Sequence, residues 1–227
     1  MYLPGIPAHV VQRGHNRNAC FFADDDFRYY LQALSEGMQR YGVDLHAYCL
    51  MTNHVHLLLT PHSTDSISRL MQHVGRRYVL YINRTYRRSG TLWEGRHKGS
   101  IVDAESYLLA CYRYIELNPV TAHMVQRPEE YPWSSFRCNA LGEANELVTP
   151  HPVFTALSPD PAARGGAYRE LFGEELPETL RQNIAECLSA SQLLGSKWFR
   201  GEVESVLGRN VGQVRRGRPK GVSKLVS

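Results

Sequence analysis

Two β-rich runs, residues 45–51 and 54–60, are separated only by Thr52-Asn53. A connection that short joins adjacent antiparallel strands, so the chain is committed to a hairpin and therefore to a sheet. Pro61 ends the second run. The segments around the hairpin extend this frame. Residues 8–13, closed by Gly14, form a first β-rich run. Asp24 to Asp26 make an acidic helix start, with Phe27, Tyr30, Leu31 and Leu34 at helical spacing until Gly42. After the capping cluster Ser63-Thr64-Asp65, Ile67, Leu70, Met71, Val74, Tyr78, Tyr81 and Ile82 keep a 3.6-residue period. Residues 97–102 read as a fourth strand, and Asp103 caps a helix running to about Leu117, before Pro119. The order β-α-β-β-α-β-α predicts an α+β fold, an antiparallel sheet with helices packed on it.

At 227 residues, 43% hydrophobic and 21% charged, the chain has the composition of a globular protein, which excludes global disorder. Its longest aliphatic run, Leu57-Leu58-Leu59, is far too short for a membrane span, and Pro4 and Pro7 sit where a secretory apolar region would lie. A cytoplasmic protein with no membrane partner is expected. Cys20, Cys49, Cys111, Cys138 and Cys187 are odd in number and form no CxxC pair, so reduced thiols are expected.

The charge is distributed unevenly. Residues 69–98 carry Arg69, Arg76, Arg77, Arg84, Arg87, Arg88, Arg96 and Lys98 against the single acid Glu94. Such a run is either a solvated face or a phosphate-binding footprint, and Tyr78, Tyr81, Tyr86 and Trp93 interleaved with it could stack on unpaired bases. Residues 141–205 are acidic, and residues 209–227 hold six basic residues and no acid. Expected domains are a catalytic unit over 1–140, a helical extension over 141–208 built on Leu180, Ile184, Leu188, Phe199, Val203, Val206 and Leu207, and a basic tail over 209–227. The tail contains Arg215-Arg216-Gly217-Arg218-Pro219. This resembles the core of an AT-hook, which would place Arg216 and Arg218 in a narrow minor groove, or the stretch is a solvated basic tail that adds non-specific phosphate affinity.

Two patterns carry chemistry. In Asn53-His54-Val55-His56-Leu57-Leu58-Leu59, period-two alternation puts His54 and His56 on one strand face, roughly 7 Å apart, with Val55, Leu57 and Leu59 facing a core. The pair is either a metal-binding front or two unrelated polar residues on an open sheet face. In the helix before Pro119, Tyr114 and Asn118 share a face at i, i+4. A phenol can serve as a nucleophile and an amide oxygen as a ligand to a hard metal, or the stripe is merely packing. The remaining histidines, His9, His15, His46, His62, His73, His97, His123 and His151, lack a partner at a useful spacing and are expected in structural or surface roles. Glu116 lies about 100° around the helix from Tyr114 and is not assigned to a metal.

The HxH strand followed by Tyr114-Ile115-Glu116-Leu117-Asn118 resembles the single-tyrosine HUH transposases, in particular the REP-associated tyrosine transposases. Further matching segments are Pro7-Ala8-His9-Val10-Val11-Gln12-Arg13-Gly14, Ala47-Tyr48-Cys49-Leu50-Met51-Thr52, Leu92-Trp93-Glu94-Gly95-Arg96 and Tyr131-Pro132-Trp133-Ser134-Ser135. The resemblance covers roughly the first 140 residues. It departs at Thr121-Ala122-His123, where the family more often has Arg-Ala-Gly. It implies a ferredoxin- or RRM-like sandwich and a metal-dependent enzyme that cleaves and rejoins single-stranded DNA near hairpins such as repetitive extragenic palindromes. Tyr114 would be the nucleophile, and His54, His56 and Asn118 would hold Mg²⁺ or Mn²⁺. The DNA-contacting set would be Arg13, Arg69, Arg76, Arg77, Arg84, Arg87, Arg88 and Arg96, with Arg216 and Arg218 from the tail. A monomer is expected, with a dimer as the alternative. The competing readings are a regulator that binds DNA hairpins on the same fold without cutting, and a metal phosphodiesterase that uses water.

Overall fold

The computed structural model describes residues 2–208, 210 and 211. Arg216 and Arg218 lie outside the described residues. The first half is β1 (Ala8–Arg13), α1 (Asp24–Tyr41), β2 (Val43–Met51), β3 (His54–Pro61), α2 (Ser66–Thr85), β4 (Lys98–Ile101) and α3 (Ala104–Glu116). Then come the short α4 (Asn118–Thr121), α5 (Phe136–Leu141) and α6 (Pro152–Thr155), followed by α7 (Pro161–Glu170), α8 (Glu178–Ala190) and α9 (Lys197–Leu207). The four strands form one antiparallel sheet in the order β2-β3-β1-β4. This is the α+β sandwich expected from the element order, and the strand order is the ferredoxin-like one, with the first strand in the middle. Among the described residues no helix is long and apolar enough to cross a membrane.

The period-two pattern of β3 divides the sheet into two faces. Val55, Leu57 and Leu59 join Ala8 and Val10 of β1 on the face covered by α1 and α2. There they meet Tyr30 and Leu34 of α1 and Ile67, Leu70, Val74 and Tyr78 of α2. Each fully buried Leu or Ile there is worth about 1.5–3 kcal/mol relative to exposure. Leu58, with Ala47, Cys49 and Met51 of β2, faces the other way into a second core built from α3 and from helices beyond residue 135, including Phe154, Tyr168, Ile184 and Cys187.

Two glycines act as punctuation. Gly42 ends α1 in the left-handed region, φ 63°. Gly14 packs so closely on the turn that follows it that a Cβ would overlap the carbonyl oxygen of Asn18. Its N–H donates to Asn53 O across the β2–β3 turn at 2.8 Å, tying β1 to the start of the HxH strand. His123 also takes a positive φ, 55°.

The outer rim of β2 is covered at three points and that of β4 at its C-terminal end. Along β2, Leu50 N donates to Trp133 O, Ser135 N to Tyr48 O and Thr149 N to Leu45 O. At the other edge, Leu194 N donates to Ile101 O and Asp103 N to Leu194 O.

The aromatic residues of the basic stretch need one correction. Tyr78 is fully buried and its hydroxyl donates to Cys20 O, and Trp93 is buried in the same core. Neither ring can stack on a base. Tyr81 stacks on Tyr29 with centroids 4.1 Å apart, whereas Tyr86 stays partly exposed, with its hydroxyl on Asp26.

Candidate active site

The site lies on the α3 side of the two central strands. Register pairs Val11 with His56 and Arg13 with His54, so His9, Val11, Arg13, His54 and His56 share one face. The imidazoles of His54 and His56 converge with centroids 4.9 Å apart and planes at 81°. In each ring Nδ1 is already engaged. His54 Nδ1 donates to Asn53 Oδ1 at 2.6 Å, and Asn53 is oriented by its own amide N–H donating to Arg17 O. His56 Nδ1 is 2.9 Å from His9 Nε2. The Nε2 atoms are the ones left for a ligand.

Protonation favours ligation as well. Burial pulls His54 down to about 4, assisted by the charge of Arg13. Burial holds His56 well below its usual value, with His9, His54 and Arg13 adding to the effect. Both rings are therefore neutral at physiological pH, the state in which an imidazole can bind a metal.

From β4, Asp103 starts α3, which lays Leu108, Cys111, Tyr112 and Ile115 into the second core. Tyr114, on the adjoining face, comes to 5.9 Å from the His56 ring and 5.7 Å from the His9 ring, edge-on to both. Burial raises its pKa, and the charges of Arg181 and Arg13 act in the opposite direction. The helix ends two residues later and Asn118 opens α4. The Asn118 amide nitrogen donates to Tyr114 O at 2.8 Å, while its Oδ1 accepts no hydrogen bond among the described residues. A cleft of about 400 Å³ gathers Arg13, His54, His56, Tyr114, Asn118 and Arg96. Among the described residues no three His, Cys, Asp or Glu side chains cluster around a metal position, and the Asn118 amide lines the same cleft as the two imidazoles. Two neutral imidazoles and one amide oxygen, with both Nδ1 atoms tied back, fit a divalent cation.

The other arginines are not all gathered here. Arg69 and Arg76 line a larger cleft of about 1480 Å³ between α2 and the β4 edge, and this cleft meets the smaller one at Gly95, Arg96 and Lys98. Arg69 also lies over the Tyr41 ring, 4.9 Å from its centroid. Arg77 is turned toward α1, paired with Glu36 at 2.5 Å. Arg84, Arg87 and Arg88 are exposed at the far end of α2, where Arg88 lies over the Phe22 ring.

Two contributors to the cleft are not evident from sequence. His9 is fully buried against His56 rather than in a role remote from the site. The second is α8, which supplies Ala185, Leu188 and Ser189 as one wall.

Glu116, two residues beyond the tyrosine, is turned away into the second core. Its carboxylate accepts from Ser135 Oγ (2.6 Å), Asn139 Nδ2 (2.8 Å) and Tyr168 Oη (2.6 Å), joining α3 to α5 and α7. Despite these donors, burial raises it to about 7, above its ordinary 4.5. The folded protein thus holds this proton more tightly than the unfolded chain does. The resulting stability is present in full below about pH 4.5, is lost as pH rises to about 7, and is constant above. Relative to Glu116→Gln, which cannot ionise, the wild type should lose melting temperature across that window and run parallel to the variant outside it. Calorimetry of both proteins from pH 4 to 8 measures this, and a constant difference would show that Glu116 does not titrate there.

No curated protein matches the chain. Among solved structures it is similar to a REP-associated tyrosine transposase bound to a REP hairpin, at 15% identity and a TM-score of 0.55, with 67% of this chain and 90% of that one covered. A putative transposase from Deinococcus radiodurans is 20% identical, with 49% and 90% covered and a TM-score of 0.37. The sequence model described as "Transposase IS200 like" matches residues 3–118. That span is just over half of the 227 residues and runs from ahead of β1 to Asn118. It contains His54, His56, Tyr114 and Asn118, and the chain belongs to the IS200-like transposase family, enzymes that cut and join DNA.

Proposed function

We propose that this transposase cleaves and rejoins single-stranded DNA beside a hairpin through a covalent bond to Tyr114, in a site where His54, His56 and Asn118 hold one divalent ion, Mg²⁺ or Mn²⁺. The observation that carries the proposal is the approach of Tyr114 to within 5.9 Å of the His56 ring, in one cleft with His54 and Asn118. When bound, the ion would neutralise oxygens of the scissile phosphate and make its phosphorus more electrophilic. Tyr114 supplies the nucleophile. Its Oη forms a bond to phosphorus as the P–O3′ bond breaks, the phenol gives up its proton, and the departing 3′ oxygen takes one. The products are a 5′-phosphotyrosine and a free 3′-hydroxyl. Attack by a 3′-hydroxyl on that linkage restores the phosphodiester without ATP, because no bond energy was released to water. The charges of Arg13 and Arg181 offset part of the burial that would otherwise keep the phenol protonated.

The basic residues then hold the strand. Arg13 and Arg96 line the catalytic cleft, and Arg69 and Arg76 line the larger one that joins it at Arg96 and Lys98, giving a continuous cationic path over the β4 edge. Exposed Arg84, Arg87 and Arg88 extend the charge along α2, while Arg77 reaches DNA only if it leaves Glu36. A REP hairpin bound to a fold neighbour supports a hairpin as the partner class. In this reading residues 1–140 carry the chemistry, residues 141–208 wall the cleft, the tail adds DNA affinity, and one chain acts alone in the cytoplasm.

The test uses hairpin-bearing single strands with randomised flanks, labelled at the 3′ end, incubated with protein and Mn²⁺. Label that migrates with denatured protein and maps to Tyr114 is the expected result. Cleavage without an adduct would point to water as the nucleophile, and binding without cleavage to a regulator.

A further inference from the structure

We infer that His9 is a positioning residue for the metal site, fixing His56 in the tautomer and ring orientation that present Nε2 to the cleft. The inference rests on the metal reading of His54 and His56. His9 Nε2 and His56 Nδ1 are 2.9 Å apart in a fully desolvated setting, with ring centroids 5.0 Å apart. One proton lies between them, and it can belong to either ring. If His9 donates, the single N–H proton of neutral His56 must sit on Nε2, which then has no lone pair for a cation. If His56 donates from Nδ1, its Nε2 lone pair is free and the His9 proton sits on Nδ1.

The surroundings leave both arrangements open, and a cation on His56 Nε2 selects the second. His9 Nδ1 is buried and has no hydrogen-bond partner among the described residues, so it is unpaired in either arrangement and no donor from the protein forces a lone pair onto it. The neighbouring ligand is held in the same manner, because Asn53 Oδ1 can only accept and so places the His54 proton on Nδ1. Asn53 and His9 are thus equivalent devices for the two imidazoles, one from the hairpin turn and one from the adjacent strand. Acceptors of this kind behind metal-binding histidines hold ring orientation and contribute about 10- to 100-fold in metal affinity.

The experiment measures Mn²⁺ affinity of the full-length, DNA-free protein by electron paramagnetic resonance, with circular dichroism and melting temperature recorded for every variant. His9→Leu removes the acceptor and should weaken Mn²⁺ binding about 10- to 100-fold. His9→Gln places an amide oxygen near the position of Nε2 and should remain within about threefold of wild type, whereas His9→Asn, one methylene shorter, should not. A general packing role would not distinguish the two amides. His9→Leu that is folded and binds Mn²⁺ as wild type does overturns the inference. If His9→Leu does not fold, equal affinity in the Asn and Gln variants overturns it. His56→Ala separates the two levels. Should it lose no Mn²⁺ affinity, the metal reading fails and takes His9 with it; should it lose affinity while the His9 variants do not, only the role of His9 fails.

Discussion

His56→Ala and, separately, His54→Ala should lower Mn²⁺-dependent cleavage by on the order of 10³-fold or more while leaving hairpin affinity within about twofold of wild type. The size follows from the several kcal/mol of transition-state charge stabilisation that a bound ion supplies, with about 1.4 kcal/mol per decade of rate. The separation follows from the geometry. Each substitution removes one of two imidazoles converging at 4.9 Å, and the Asn118 oxygen cannot replace it. Arg69 and Arg76 lie in the larger cleft behind β4, away from the HxH strand. Single-turnover cleavage with saturating Mn²⁺, alongside filter binding of the same hairpin, gives both numbers. Full activity in excess chelator would remove the ion from the mechanism, and parallel losses of binding and cleavage would place the histidines on the DNA.

Tyr114→Phe should abolish the covalent adduct and lower cleavage by a factor on the order of 10⁶, the scale of loss when a nucleophile is deleted. Stability should hardly change, because the phenyl ring keeps its edge-on packing against His9 and His56 and the hydroxyl has no hydrogen-bond partner among the described residues. Mixing this variant with His56→Ala should restore nothing. The two side chains meet within one chain, with α3 following β4 after only Val102 and Asp103. Rescue in the mixture would show that α3 is exchanged between subunits and that the working site is shared.

Most of this architecture is readable from local pattern, since hairpin, alternation and helical period all report on neighbours within a few residues. The run at 8–13 is β1 to the residue, and the HxH strand does present its aliphatic side to a core. Tyr78 shows a signal present but outweighed: it continues the spacing of Ile67, Leu70, Met71 and Val74, which marks the buried face of α2, and the arginines around it suggested a surface instead. Trp93, in a loop, has no period to reveal its burial. The remaining features depend on long-range register. His9 reaches His56 only because β1 inserts between β3 and β4, a pairing across 47 residues. Arg77 finds Glu36 41 residues away, and α8 arrives at the cleft from more than 60 residues beyond Tyr114. Spacing along the chain carries no information about any of these.

The covered stretches of the outer strands govern how this protein can meet other copies of itself. A sheet with a bare rim invites a neighbour to add a strand, a route to fibres and to accidental dimers. Here residues 133–149 occupy outward-facing backbone groups along β2, and Leu194 occupies the outward carbonyl of Ile101 at the end of β4. Extension of the sheet from one molecule into the next is blocked along β2 and at the Ile101 end of β4. Self-association at the β2 rim would therefore have to go through helix faces, leaving the central strands and the cleft they carry undisturbed.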